Sequence, residues 1–332
     1  LFLYLKENPF LLKRKRDMRI YRIVYILTAG IFLFGAAIGS FAADVPDFSS
    51  LKNTEDLASD VSSTAAFTAG SGHSAGMTTS SFPGLKLGAG ATLGLYPGVY
   101  DDLSSLDTTD PKVIQDLVSA FPMFYPSVFA KIGLPSTEVP LLKTTDIGVR
   151  AGYLPVVDLG QFVSVAKGDA PVIETGGFLV GAEFRTLLID LSIFNLDMRA
   201  SFDYMKGSSR IGAPLDVYDT SVDFGYKNSW SGGSFGLRTL AGIDLDWIFG
   251  VRAGAGINVN FGDATSSMYI DSSDKRVEKL VGDIESSTAN FDPFDIRVMG
   301  GIKLFIVDLY AEYGILSERF AATIMPVTLE LF

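Results

Sequence analysis

The sequence predicts an all-β fold: an antiparallel transmembrane β-barrel of about 10 strands, or 12 on a wider count, with short helices in its outer loops. Three observations predict it. From residue 85 onward, apolar and polar residues alternate with period two. The longest alternating runs reach 9 to 13 residues, whereas a tilted membrane strand needs about 9 to 11 and a globular strand averages about 5 to 6. The connections between runs are long and short in turn, as in barrels with large outer loops and small turns on the other side.

The chain has 332 residues, and its first Met is Met18. Residues 1–17 read as an upstream extension. Residues 18–42 read as a signal peptide: Arg19 and Arg22 form a basic start, Ile23 to Ile38 an apolar run, and Ser40 and Ala42 the small residues before cleavage. That run is shorter than the roughly 20 residues a spanning helix needs. Residues 43–83, rich in Ser, Thr and Ala, form a flexible N-terminal segment that is either a periplasmic tail or a plug threaded into the barrel. Composition leaves both open.

The barrel is expected over 84–332. Leu85 to Leu95 places Leu85, Leu87, Ala89, Ala91, Leu93 and Leu95 on one face and Lys86, Gly88, Gly90, Thr92 and Gly94 on the other. The same pattern recurs in Val128 to Leu134, Ile147 to Tyr153, Phe178 to Phe184, Leu196 to Tyr204, Phe235 to Trp247, Phe249 to Phe261, Ile296 to Leu304 and Val307 to Ile315. Aromatics near the run ends, among them Tyr153, Tyr204 and Phe261, suit an interfacial girdle. In the last segment, FAATIMPVTLELF, the apolar parity shifts at Pro326, where a bulge would absorb one residue. Tyr218 to Tyr226 also alternates and is the basis of the 12-strand count.

The signal sequence, the alternating strands and the terminal Phe332 together resemble the outer-membrane β-barrel proteins of bacteria with two membranes. The resemblance implies a multi-pass barrel in the cell outer membrane of a Gram-negative envelope. It also implies outer-membrane lipid as surroundings and insertion by the barrel-assembly machinery through the last strand, and an even count of ten strands puts both termini in the periplasm. Alternation turns one set of side chains into the lumen: Lys86, Arg150, Arg185, Arg199, Arg238, Arg252, Arg297 and Lys303, with Asp146, Glu183, Asp197, Asp203, Asp244, Asp295, Asp308 and Glu312. In so narrow a barrel these charges should pair and fill the interior. The alternative is a narrow polar channel.

Two connections carry helix signals, DPKVIQDLVSAF with Asp110 as cap and Pro111 at the first position, and DKRVEKLVGDIE. Both are expected to fold over the barrel mouth as a lid. The acidic, Ser-rich stretch from Asp271 to Ser287 is a plausible contact for an extracellular ligand. No Cys and a single His, His73, put thiolate and the usual His-based metal sites out of reach, so no cofactor or metal is expected. After signal removal the chain holds 20 basic and 36 acidic side chains, a balance that repels nucleic acid. GHSAG, Gly72 to Gly76, has the form of a hydrolase nucleophile elbow, but the only His adjoins Ser74 and precedes it, so the pair would point to opposite faces of a strand. The functional expectation is a non-enzymatic barrel, narrow or closed, with a structural or surface-interaction role. A porin-like channel or uptake barrel for small polar or hydrophobic solutes is the alternative, and a membrane esterase using GHSAG the remote one.

Overall fold

The computed structural model describes residues 54–72, 82–95, 123–135, 144–158, 171–191, 193–217, 220–245, 249–271, 286–305 and 307–330. The signal peptide, His73 to Gly76, both loop-helix segments and Phe332 lie outside the described residues. One helix, α1 (Thr54–Ala69), precedes strands β1 (Leu85–Leu95), β2 (Met123–Gly133), β3 (Thr145–Asp158), β4 (Val172–Leu191), β5 (Phe194–Val217) and β6 (Thr220–Leu245). There follow β7 (Phe249–Asp271), β8 (Ser286–Asn290), β9 (Phe294–Leu304), β10 (Val307–Gly314) and β11 (Phe320–Glu330).

Each strand pairs antiparallel with its neighbours, and β11 pairs back onto β1, so the sheet closes into a ring. The short β8 is not a separate stave. It pairs with the outer part of β7 at Asp263 to Ser267, while β9 pairs with the same strand from Val259 downward. β8 and β9 are therefore one stave interrupted at Phe291 to Pro293, and the ring has ten positions. Residues 220–226 form the outer end of β6 rather than a further strand, which removes the 12-strand count. The parity shift at Pro326 is absorbed by a bulge: Ala89 faces Val327 and Ala91 faces Ile324, so Met325 and Pro326 together oppose Gly90.

Short turns cluster at one end, between Leu191 and Phe194, Leu245 and Phe249, and Leu304 and Val307. These mark the periplasmic end of an outer-membrane barrel. Toward the opposite, outer end, β5, β6 and β7 run for 24, 26 and 23 residues. The roughly 30-residue loop expected after Tyr204 is instead a continuation of β5 and β6, which pair without interruption until Val217 meets Thr220.

The reason is a reversal of pattern partway up each strand. On the lower part of β5, Phe202 is exposed on the outside while Asp197, Arg199, Ser201 and Asp203 are buried inside. Above Tyr204, Lys206 and Ser208 stand on the outside, while Met205, Ile211 and Ala213 are buried inside. β6 does the same, with Phe235 and Leu237 exposed below, Lys227 and Ser229 exposed above, and Phe224 and Tyr226 buried within. The ten steps from Phe194 to Tyr204, at ~3.3 Å each and a tilt of about 40°, rise roughly 25 Å, the height of a lipid-facing band. Below Tyr204 the outside is lipid, and above it water. The exposed belt, which includes Val128, Val149, Val180, Phe202, Phe235 and Val259, is the face that lipid covers. The chain is thus an integral β-barrel of the cell outer membrane.

Candidate functional site

The lumen is occupied. Helix α1 begins at Thr54 with Glu55 and Asp56 in its first turn, where carboxylates favour a helix N-terminus. Its first residues sit at the outer mouth: Thr54 Oγ1 lies 2.8 Å from Ser287 Oγ on β8. Lower down, Ser62 donates to the Asn290 carbonyl at 3.2 Å, Ser63 donates to the Asp292 carboxylate, and Arg319 pairs with Asp60 at 3.2 Å. From Val61 to Ala69 every residue is buried. Two hydroxyls bond back along the chain, Thr68 donating to the Thr64 carbonyl and Ser71 to that of Phe67, both at 2.7 Å, while the buried Thr64 hydroxyl has no hydrogen-bond partner among the described residues. Gly94 lets the helix approach the wall, because a Cβ there would fall 1.9 Å from Thr68 Oγ1.

Around the helix the outer half of the lumen is apolar. Leu57, Val61, Ala65 and Ala66 pack with Met205, Ile211, Phe224, Tyr226 and Trp230 from the wall. Trp230 Nε1 donates to the Tyr125 hydroxyl at 3.0 Å, which satisfies the one indole N–H in this cluster.

The helix ends at the middle of the barrel among three arginines. Arg297 Nη1 donates to the Phe67 carbonyl at 3.0 Å, and its guanidinium lies 4.0 Å from the centre of the Phe67 ring. Arg150 Nη2 donates to the Ala69 carbonyl at 2.5 Å, and Arg150 also reaches the Ser71 carbonyl. Arg238 donates to the Gly70 carbonyl. The last four carbonyls of a helix have no partner within it and carry about half a negative charge. Here, guanidinium groups supply both the donors and the countercharge. The chain then turns at Gly72, whose φ is +86°, and the Gly72 N–H donates to Glu312 Oε1 at 3.0 Å.

The same arginines are tied to the wall. Arg150 pairs with Asp203 at 2.8 Å, while Arg238 and Arg297 reach Glu312 at 3.5 and 3.4 Å. Below them a second cluster centres on Asp197, with Arg199 at 2.7 Å, Arg185 at 3.2 Å and Arg252 at 3.5 Å. Lys131 pairs with Glu183 beside it. Lys86, Asp146, Asp295 and Asp308 are buried in the same interior, and Lys303 is half-buried near the short-turn end. Asp244 lies on β6, but its side chain is outside the described part. Among the described residues the buried set holds nine Lys or Arg against seven Asp or Glu.

Sequence reasoning passed over α1, Lys131, Arg319 and the apolar outer lumen. Leu57, Val61 and the Glu55–Asp56 pair were the available signals for the helix. On the inward face of β7 an added Cβ at Gly254 would lie 2.2 Å from the Thr239 carbonyl oxygen, so the backbone itself opposes a larger residue there.

Outside the barrel, above the aromatic pairs Phe178–Tyr204 and Phe202–Phe261, the wall carries a polar cleft of about 320 Å³. Arg210 and Lys227 flank it, 4.7 and 5.1 Å from the centre of the Tyr269 ring, with Ser208, Ser229 and Ser267 alongside.

No protein-family model and no curated protein matches the sequence. Similar solved structures include a major outer membrane protein from Thermus thermophilus, at 13% identity and a TM-score of 0.30, covering 73% of this chain and 98% of that one. The transport unit of the autotransporter AIDA-I from Escherichia coli aligns at 9% identity and 0.34, covering 85% and 100%. LpxR from Salmonella typhimurium aligns at 8% identity and 0.21, covering 72% and 99%.

Proposed function

We propose that this protein is a plugged outer-membrane barrel with a structural or surface-interaction role. The observation that carries the reading is the clamp on α1: three buried arginines hold its carbonyl end, and an apolar collar grips the rest. Charged lumen walls would line a channel in an empty ring of this size. Here most of those charges are already committed to one another or to the helix. The outward polar sheet formed by β5, β6 and β7 is the surface that a partner outside the cell would meet, with Arg210 and Lys227 as its cations.

The chain reaches the membrane through the signal at 18–42, and β11 is the strand offered to the barrel-assembly machinery. Catalysis forms no part of this reading, because GHSAG begins at a glycine fastened to Glu312 inside the lumen. Single-channel recording of the refolded mature protein in a planar bilayer tests it. The intact protein is expected to give no discrete steps, and a variant lacking 54–72 to give reproducible ones. Steady conductance from the intact protein would overturn the plug and make the interior charges selectivity residues.

A further inference from the structure

We propose that the barrel threads its own chain: residues preceding Thr54 leave through the outer mouth, so the protein presents its N-terminal segment on the cell surface. This goes beyond the plug, since a plug inserted from the periplasm would leave that segment inside. The direction of α1 decides between the two. Its N-terminal end is bonded to the outer stave, Thr54 to Ser287, and Asp60 is held by Arg319 in the outer connection between β10 and β11. Its C-terminal end lies deeper, where Arg297 faces Gly256 of β7, near the middle of the lipid-facing run. Sixteen residues at ~1.5 Å each give about 24 Å, enough to reach from mouth to mid-membrane. Leu85, where β1 begins, pairs with Ile132 at the short-turn end. From Thr54 at the mouth to Leu85 at the short-turn end, the chain therefore passes from outside to inside.

Chemistry supports the same direction. A helix lowered carbonyl-end first meets arginines at its tip and an apolar collar along its sides. Inverted, it would set its N–H groups, the positive end of its dipole, among those arginines and strand its carbonyls at the mouth. The expectation that both termini lie in the periplasm would then fail for the N-terminus alone.

The natural absence of Cys makes the test clean. Three single variants, Ser50→Cys, Ser136→Cys and Ser272→Cys, are treated on intact cells with a membrane-impermeant maleimide. Ser272→Cys, in the connection after β7, reports the outer side, and Ser136→Cys, in the connection after β2, the periplasmic side. The proposal expects Ser50→Cys to label like Ser272→Cys, with Ser136→Cys labelling only after the membrane is permeabilised. Labelling of Ser50→Cys only after permeabilisation would overturn it, as would labelling of Ser136→Cys on intact cells. A Ser63→Cys, Asp292→Cys pair tests the helix direction separately and should form a disulfide in the assembled barrel. Its absence would also overturn the threading. Channel steps from the intact protein would count against the plug and leave these labelling results standing.

Discussion

The lower and upper halves of β5, β6 and β7 belong to the same strands and make the same ladder, yet their side chains are arranged oppositely. Below Tyr204 the outside is apolar and the inside charged, and above it the outside is hydroxyl and charge while the inside is Met205, Ile211, Phe224 and Tyr226. The backbone does not know where the membrane ends. What changes is the solvent outside, and each half places its apolar side chains against whatever is not water: lipid in one, α1 and its collar in the other. One barrel thus combines a membrane protein's surface with a soluble protein's core.

Substitution on each half can break this comparison. The largest effect is expected inside the upper half, where Phe224→Ala should cost about 3 to 5 kcal/mol by emptying a packed core position. Phe235→Ala, facing lipid, should cost far less, and urea unfolding of the refolded proteins compares them. Next is charge on the outer face: Ala253→Arg, at lipid height, should cost about 2 to 4 kcal/mol and lower the folded fraction. Ser229→Arg, on the same face but above the belt, should assemble within about 0.5 kcal/mol of the parent. Heat-modified mobility on a gel reads both, and equal losses would put the boundary at Tyr204 in the wrong place.

A smaller effect is expected at the clamp. Arg150→Lys keeps a cation beside Asp203 but gives up the guanidinium fork to the Ala69 and Ser71 carbonyls, and should cost about 1.5 to 3 kcal/mol. Faster hydrogen exchange in the last turn of α1, with the strands unchanged, would locate the loss. The smallest is Thr265→Ala, which gives up an exposed 2.9 Å bond to Thr288 and should alter stability by about 0.5 kcal/mol or less.

The lower barrel was legible because lipid gives alternation its sharpest contrast, and that yielded the ring, its ten staves and the bulge at Pro326. The upper strands were missed for the same reason. Their alternation changes sign, so a reading tuned to greasy-outside strands ends at Tyr204 and counts the rest as loop. The stretch from Tyr218 to Tyr226 does alternate, but its inward apolar parity makes it look like a new strand. α1 left almost no trace, since a helix enclosed on every side needs no apolar stripe. Its Ser, Thr and Ala are small residues that fit a narrow tube, and along the sequence they resemble a linker. The pairing of Glu183 with Lys131, across two strands, could not be read from spacing.

The clamp also has a mechanical meaning. Tension applied at Thr54 and directed away from the cell runs along the helix axis and arrives at Phe67 to Ser71, where Arg150, Arg238 and Arg297 bear it side by side. Contacts loaded in parallel must fail together, unlike a zipper that opens one bond at a time. Their other ends are fastened to Asp203 and Glu312 on strands far apart around the ring, so the pull is shared by opposite walls and passed to the whole membrane-embedded belt.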